Sequence, residues 1–128
     1  MKKKEIGKFG EDFCANMLSD QGYDILKRNF YSPYGEIDII AKHLHYIVFI
    51  EIKTRTKESI EQAQASISQK KQRKITKTAM YFMKDFIHPA EFLEFRFDVI
   101  IVKKKQDQLS IKHFENAFLP AEVGDFFA

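Results

Sequence analysis

The stretch from Gly35 to Arg55 constrains this chain more than any other. Two runs rich in Ile, Val, Phe and Tyr, Gly35-Glu-Ile-Asp-Ile-Ile-Ala and Tyr46-Ile-Val-Phe-Ile-Glu-Ile-Lys-Thr-Arg, are separated only by Lys42-His-Leu-His. Both lack an internal Gly or Pro and are too short for helices in a chain of this size, so they predict the two strands of a hairpin. Side chains alternate faces along a strand. This places Glu36, Asp38 and Ile40 on one face, and Ile47, Phe49, Glu51 and Lys53 on one face of the next strand. A connection centred on Leu44 and His45 then sets Asp38 opposite Glu51 and Glu36 opposite Lys53. Leu-His suits a two-residue primed turn poorly, so a four-residue loop from His43 to Tyr46 is expected, in the same register.

Two carboxylates facing each other among Ile and Phe repel, and loss of water makes ionising both harder. A divalent cation bound by oxygen ligands resolves the conflict, with Lys53 projecting about 6–7 Å further along the strand. The other reading is an exposed polar face on an edge hairpin, with Glu36 and Lys53 as an ordinary cross-strand pair. Spacing alone leaves both open.

The chain has 128 residues, 45% of them apolar and 13 of them Phe, enough for one domain with a real core. We divide it into a core of about residues 5–118 and a tail, 119–128. A net charge of +3 permits a nucleic-acid partner without demanding one. Positive charge clusters at Lys2 to Lys4, Lys70 to Lys77 and Lys103 to Lys105. Met-Lys-Lys-Lys leads into a charged segment rather than an apolar run, and no stretch is long enough to span a bilayer. We therefore expect no secretory signal, no membrane partner and a cytoplasmic location. The single cysteine, Cys14, leaves no internal disulfide and no ordinary cysteine-based zinc site. His43, His45, His88 and His113 lack metal-ligand spacing.

From Glu5 to Asp20, Ile6, Phe9, Phe13, Cys14, Met17 and Leu18 fall in one helical arc, and Gly22 follows where a cap belongs. Gly10 lies inside that arc and admits a close neighbour; Glu11 at its edge either faces solvent or leans toward whatever the helix packs on. Tyr23 to Phe30 reads as a strand, and Ser32-Pro33-Tyr34-Gly35 as a turn into the hairpin. A second helical pattern runs to Phe86, starting at a capping box of either Ser59 with Gln62 or Ser66 with Gln69. Its stripe is Ile67, Ile75, Thr78, Ala79, Phe82, Met83 and Phe86, with Lys71 near the centre. That lysine either snorkels to the helix edge or points at a polar site beneath, and Lys70, Arg73, Lys74 and Lys77 flank it. His88-Pro89 is expected to end the helix. Phe95 to Val102 predicts a strand buried on both faces, with Arg96 and Asp98 paired. Lys103 to Gln108 reads as a turn, Leu109 to Phe114 as an edge strand, and the tail with Phe118, Phe126 and Phe127 as a docked segment or a subunit contact.

The order helix, three antiparallel strands, long helix, strand, with Asp on the second strand and Glu-x-Lys on the third, resembles the restriction-endonuclease-like, PD-(D/E)xK nuclease core. Several blocks narrow it: Gly7-x-x-Gly10-Glu11, Arg28-Asn29, Gly35-Glu-Ile-Asp38, Val48-Phe-Ile-Glu51-Ile-Lys53-Thr-Arg55, Lys71-Gln-Arg73-Lys-Ile75, Arg96-Phe-Asp98-Val and Asn116-Ala-Phe118. In this order, from about Ile6 to Phe118, they resemble the YraN-like family of uncharacterised bacterial proteins, predicted nucleases related to archaeal Holliday-junction resolvases. The resemblance implies an α/β fold with a mixed central sheet flanked by helices. It implies catalytic positions at Glu11, Asp38, Glu51 and Lys53. Asp38, Glu51 and the Ile52 carbonyl would hold Mg2+ or Mn2+, and Glu11 would help through water or a second ion. Lys71, with Arg55, Lys70, Arg73 and Lys74, would contact nucleic acid, DNA before RNA. The relation to resolvases also makes branched DNA and a homodimer expectations. One departure concerns the loop after Glu-x-Lys, which usually carries Gly and Pro in that family and here reads Glu61-Gln62-Ala63. The rival reading is a nucleic-acid-binding module without turnover, which would gain affinity when Asp38 and Glu51 are neutralised.

Overall fold

The apolar strands assemble as expected, on a sheet that is covered on both faces. In the computed structural model, residues 2–86 and 93–123 are described. The order is α1 (Lys3–Asp20), β1 (Asp24–Ser32), β2 (Gly35–His43), β3 (Tyr46–Arg55), α2 (Ile60–Ala65), α3 (Gln69–Phe86), β4 (Glu94–Lys105) and β5 (Gln108–Phe118). The five strands lie in the sheet in chain order. Three pairings are antiparallel, and β4 runs parallel to β3 along its length. The expected helix stop at His88-Pro89 and the tail residues Phe126 and Phe127 lie outside the described residues.

The central strands are apolar on both faces because helices cover both, which is why the β3 and β4 sequences read as nearly continuous apolar runs. On one side Cys14, Ala15 and Leu18 of α1 pack on Ile39, Ala41, Val48, Ile50 and Ile100. On the other, Ile75, Ala79 and Phe82 of α3 pack on Ile37, Ile40, Ile47, Phe49 and Phe97. A third cluster sets Ala63 and Ile67 against Val99 and Ile101. Burying a Phe such as Phe49, Phe82 or Phe97, each nearly solvent-free, contributes roughly 2–3 kcal/mol.

Gly10 is where α1 meets the sheet most closely: a Cβ there would run into the Thr54 side chain of β3. The second helical pattern divides in two. Ser59 takes the capping box, its Oγ accepting from the Gln62 amide at 3.1 Å and the Gln62 side chain accepting from the Ser59 amide at 3.0 Å. The chain then breaks at residues 66–68, and the Ser68 hydroxyl accepts from the Lys71 amide at 3.1 Å as α3 begins. The departure Glu61-Gln62-Ala63 is thus a helix, pinned by the buried Ala63.

The hairpin keeps the expected register, with Ile39 paired to Ile50, Ala41 to Val48 and His43 to Tyr46. Its connection, however, is the two-residue Leu44-His45 turn and not a four-residue loop. Leu44 adopts φ 56°, a left-handed conformation that costs a non-glycine residue about 1–2 kcal/mol. Leu44 is also well exposed, so the turn is held by the strands it joins and by His45, whose ring packs on Tyr46 and lies 3.3 Å from Glu94. β4 and β5 each run a few residues longer than expected, and β5 continues to Phe118, whose ring stacks on Phe97 at 5.0 Å.

Among the described residues no helix is long and apolar enough to cross a membrane.

Candidate active site

The site forms where β2 parts from β3. Strict alternation places Asp38 on the face of Ile40, but the structure breaks that alternation. Asn29 of β1 adopts φ 50° between the pairs Arg28–Ile39 and Phe30–Ile37, directly across from Asp38. Beyond this kink Ile37 joins Ile40 under α3, whereas Ile39 and Ala41 pack under α1. β1 turns over with it: Arg28 pairs with Asp12 of α1 at 2.7 Å, yet Phe30 packs against Phe82 and Phe86 of α3. Asp38 therefore does not share a face with Ile40, and it does not sit squarely opposite Glu51.

Instead the Asp38 carboxylate spans the gap that the kink opens. The main-chain pairing of β2 with β3 ends at Ile39 and Ile50, and Asp38 Oδ2 accepts the Ile52 amide at 2.7 Å. A backbone donor released by diverging strands must find an acceptor, and here a side chain supplies it. Glu51, largely buried, points toward α3, where Lys71 Nζ lies 3.6 Å from its Oε1. Lys71 thus points at the polar site under its helix. Lys53 Nζ donates to Ser66 Oγ at 3.1 Å, at the break between α2 and α3, rather than making the plain cross-strand pair with Glu36. Glu11 leans in from α1, within hydrogen-bonding reach of the Asp38 carboxyl.

Four acids crowd this end of the sheet, and their protonation shows it. Burial, and next the Glu51 charge, push the Asp38 carboxyl up to about 8. Burial also raises Glu51, against the opposing pull of Lys71 and Lys53. Glu11 is raised by burial and by Glu36. Burial, and next the Arg55 charge, lower the Lys53 ammonium. Burial, with Asp38 and Glu11 nearby, pushes the Cys14 thiol up to about 12, so it remains a packing thiol. These shifts mark a place where negative charge exceeds what the protein's own cations and water neutralise.

The donor set is all oxygen, which suits Mg2+ or Mn2+ rather than zinc or copper. Among the described residues no three His, Cys, Asp or Glu side chains are gathered closely enough to enclose an ion by themselves. Asp38 and Glu51 are thus two carboxylates at this place, and a hard cation held by so few protein ligands would keep several waters.

The other basic residues separate. Arg55 pairs with Glu58 at 3.4 Å beside a cleft that also reaches Glu11. Lys70 and Lys74 are exposed on α3, and Lys74 packs near Gly35 at the start of β2. Arg73 turns away and lines a different cleft with Gln69, Gln72 and Leu119 to Glu122. Sequence reasoning missed Tyr31, which lies near Glu36, Glu11 and Asp38, and Ser66. Both sit on neighbouring elements at ordinary-looking positions. Only the kink and the helix break bring them in.

This fold and site define an α/β protein with an acid-rich centre where the inner strands β2 and β3 part, with Lys71 of α3 beside it. The protein belongs to a family described as the uncharacterised protein family UPF0102, whose model matches residues 10–102. It is 47% identical over 118 residues to a UPF0102 protein of Clostridium botulinum (strain Loch Maree / Type A3), covering 90% of this chain and 94% of that one. A UPF0102 protein of Sulfurihydrogenibium sp. (strain YO3AOP1) is 43% identical over 118 residues, covering 92% and 97%. One of Syntrophotalea carbinolica is 37% identical over 117 residues, covering 91% and 94%.

Proposed function

We propose that this protein is a metal-dependent nuclease on a restriction-endonuclease-like core, hydrolysing phosphodiester bonds in nucleic acid, DNA before RNA. The observation that carries the reading is the pair of half-buried Asp38 and buried Glu51 at the parting of β2 and β3, with Lys71 3.6 Å from Glu51. Such a pair is costly unless a cation joins it. Asp38 and Glu51, with the Ile52 carbonyl, would hold Mg2+ or Mn2+. When bound, such an ion supplies positive charge to a phosphate and acidifies water.

Hydrolysis forms a bond from a water oxygen to phosphorus and breaks the bond to one ester oxygen, which takes up a proton and leaves as an alcohol. The residues prepare that exchange. The Ile52 amide fixes the Asp38 carboxylate through the 2.7 Å bond, so its free oxygen is aimed before substrate arrives. Lys53 Nζ, held by Ser66 Oγ, donates toward a non-bridging phosphoryl oxygen as charge develops there. Lys71 Nζ supplies a second cation from α3, and Glu11 orients water beside Asp38. The resemblance to resolvases makes four-way-junction DNA a substrate to include.

The test compares wild type with Glu51→Gln on labelled single-strand, duplex, flap and four-way-junction DNA, with Mg2+ and with Mn2+. Cleavage by wild type, reduced at least about 100-fold in the variant, is expected. Equal cleavage by both proteins would remove the site, and tight binding without cleavage by either would favour a binding module.

A further inference from the structure

Two clefts flank Glu11. One, of about 770 Å3, runs between the start of α1 and the end of β3, with Lys3, Arg55 and Lys57 on its walls. The other, of about 470 Å3, runs between α1 and β1, with Lys4, Lys8, Arg28 and Tyr31. Gly7 and Glu11 line both. The clefts are therefore neighbours across a single turn of α1, and the residue on that saddle has no side chain. A Cβ added at Gly7 would meet nothing within 4 Å, so any larger side chain would project into the passage.

The walls have a definite chemistry. Lys3, Lys4, Lys8 and Lys57 are exposed, and their ammonium groups suit the phosphates of an extended backbone. Arg28 is tied to Asp12 at 2.7 Å and serves as wall rather than as an open cation. Tyr31 is 68% exposed at the far end of the second cleft. A base inside a duplex already has both faces stacked, so a ring presented this way takes a base that is unpaired.

We propose that the two clefts form one path for an unpaired nucleic-acid strand, crossing α1 over Gly7, with Tyr31 stacking a base and Lys57 holding the backbone beyond Glu11, where Arg55, paired with Glu58, serves as wall. The inference deepens the nuclease reading and rests on it. It assigns the substrate a single-stranded segment next to the acids, as a flap or an opened branch point provides.

The test measures fluorescence anisotropy of labelled dT20 and of a 20-base-pair duplex without divalent metal, for wild type, Tyr31→Ala, Tyr31→Phe and Gly7→Leu. Thermal melting checks each fold. Tyr31→Ala should weaken dT20 binding roughly 5- to 100-fold, Tyr31→Phe should bind like wild type, and Gly7→Leu should lose dT20 affinity with melting unchanged or raised. Duplex affinity should change much less. Wild-type affinity for dT20 in both Tyr31→Ala and Gly7→Leu would overturn the path. So would equal losses on duplex and single strand. In either case metal-dependent cleavage that Glu51→Gln abolishes would leave the nuclease reading standing; no dT20 binding by wild type would overturn the path, and no cleavage by wild type with metal would remove the nuclease reading.

Discussion

Two glycines three residues apart on α1 show how far one missing side chain can differ from another. Gly10 faces Thr54, whose β-branched side chain is stiff and cannot swing away from an added methyl. Gly7 faces open space, so there the usual cost of glycine inside a helix is uncompensated. We expect Gly10→Ala to destabilise the protein by about 1–3 kcal/mol, and Gly7→Ala to stabilise it by about 1 kcal/mol. Urea unfolding of the two variants measures both, and a gain in stability from Gly10→Ala would show that α1 is not seated on β3 as described. The sequence predicted a close approach at Gly10 from its place in the apolar arc. It did not reveal the partner, because Thr54 is more than forty residues away along the chain and only folding places it there.

At the scale of elements, β4 and β5 are joined by a polar cluster as well as by their ladder. Asp98, fully buried, accepts from Arg96 Nε at 3.0 Å and the Asn116 amide at 2.9 Å, and lies 2.7 Å from His113 Nε2. Arg96 continues to the Tyr23 hydroxyl at 2.9 Å, tying β4 to the residue just before β1. Burial alone would raise the Asp98 carboxyl, but hydrogen bonds from His113, Arg96 and the Asn116 amide outweigh it and hold it below its ordinary value. A carboxyl depressed in the folded state adds stability above its unfolded pKa of about 3.9, and loses it as pH falls through the folded value. Asp98→Ala, which strands Arg96 and His113, should cost about 3–5 kcal/mol near neutral pH, and the deficit should shrink below about pH 4. Denaturant melts across pH 3–7 test this; a deficit that does not change with pH would assign the loss to packing alone. The Arg96–Asp98 pairing was legible from period 2 within one strand. His113 and Asn116 were not, since the β4–β5 register sets their distance and β5 ran longer than its apolar pattern indicated.

For the whole molecule, helices on both faces leave the sheet few places to admit water, and the acids occupy one of them. With its carboxyl pushed up to about 8, Asp38 takes up a proton on folding, so its cost to stability grows as pH rises from about 4 to about 8. Asp38→Asn keeps an acceptor for the Ile52 amide and removes the charge. Its melting temperature should exceed that of wild type at pH 8 by roughly 5 °C, and the difference should fade toward pH 5. Millimolar Mn2+ should raise the wild-type melting temperature at pH 8 and leave the variant's unchanged, because an ion that binds only the folded state stabilises it by mass action. An equal Mn2+ effect on both proteins would place the ion elsewhere.

The sequence by itself indicated α1, the strands and the hairpin register, with Asp38 on one strand and Glu51 and Lys53 on the next, because periodicity and strand pairing act over a few residues. For Lys71 in the α3 stripe it left two readings, the helix edge or a polar site beneath, and the 3.6 Å approach to Glu51 decides for the second. Only the tertiary structure decided how those groups meet. The left-handed Asn29 turns β1 and β2 over together, moves Asp38 off the face that strict alternation assigns it, and leaves the Ile52 amide for its carboxylate. Local rules do not contain that step: a backbone kink is tolerated only where the packed neighbours on both faces hold it, and those neighbours come from α1 and α3.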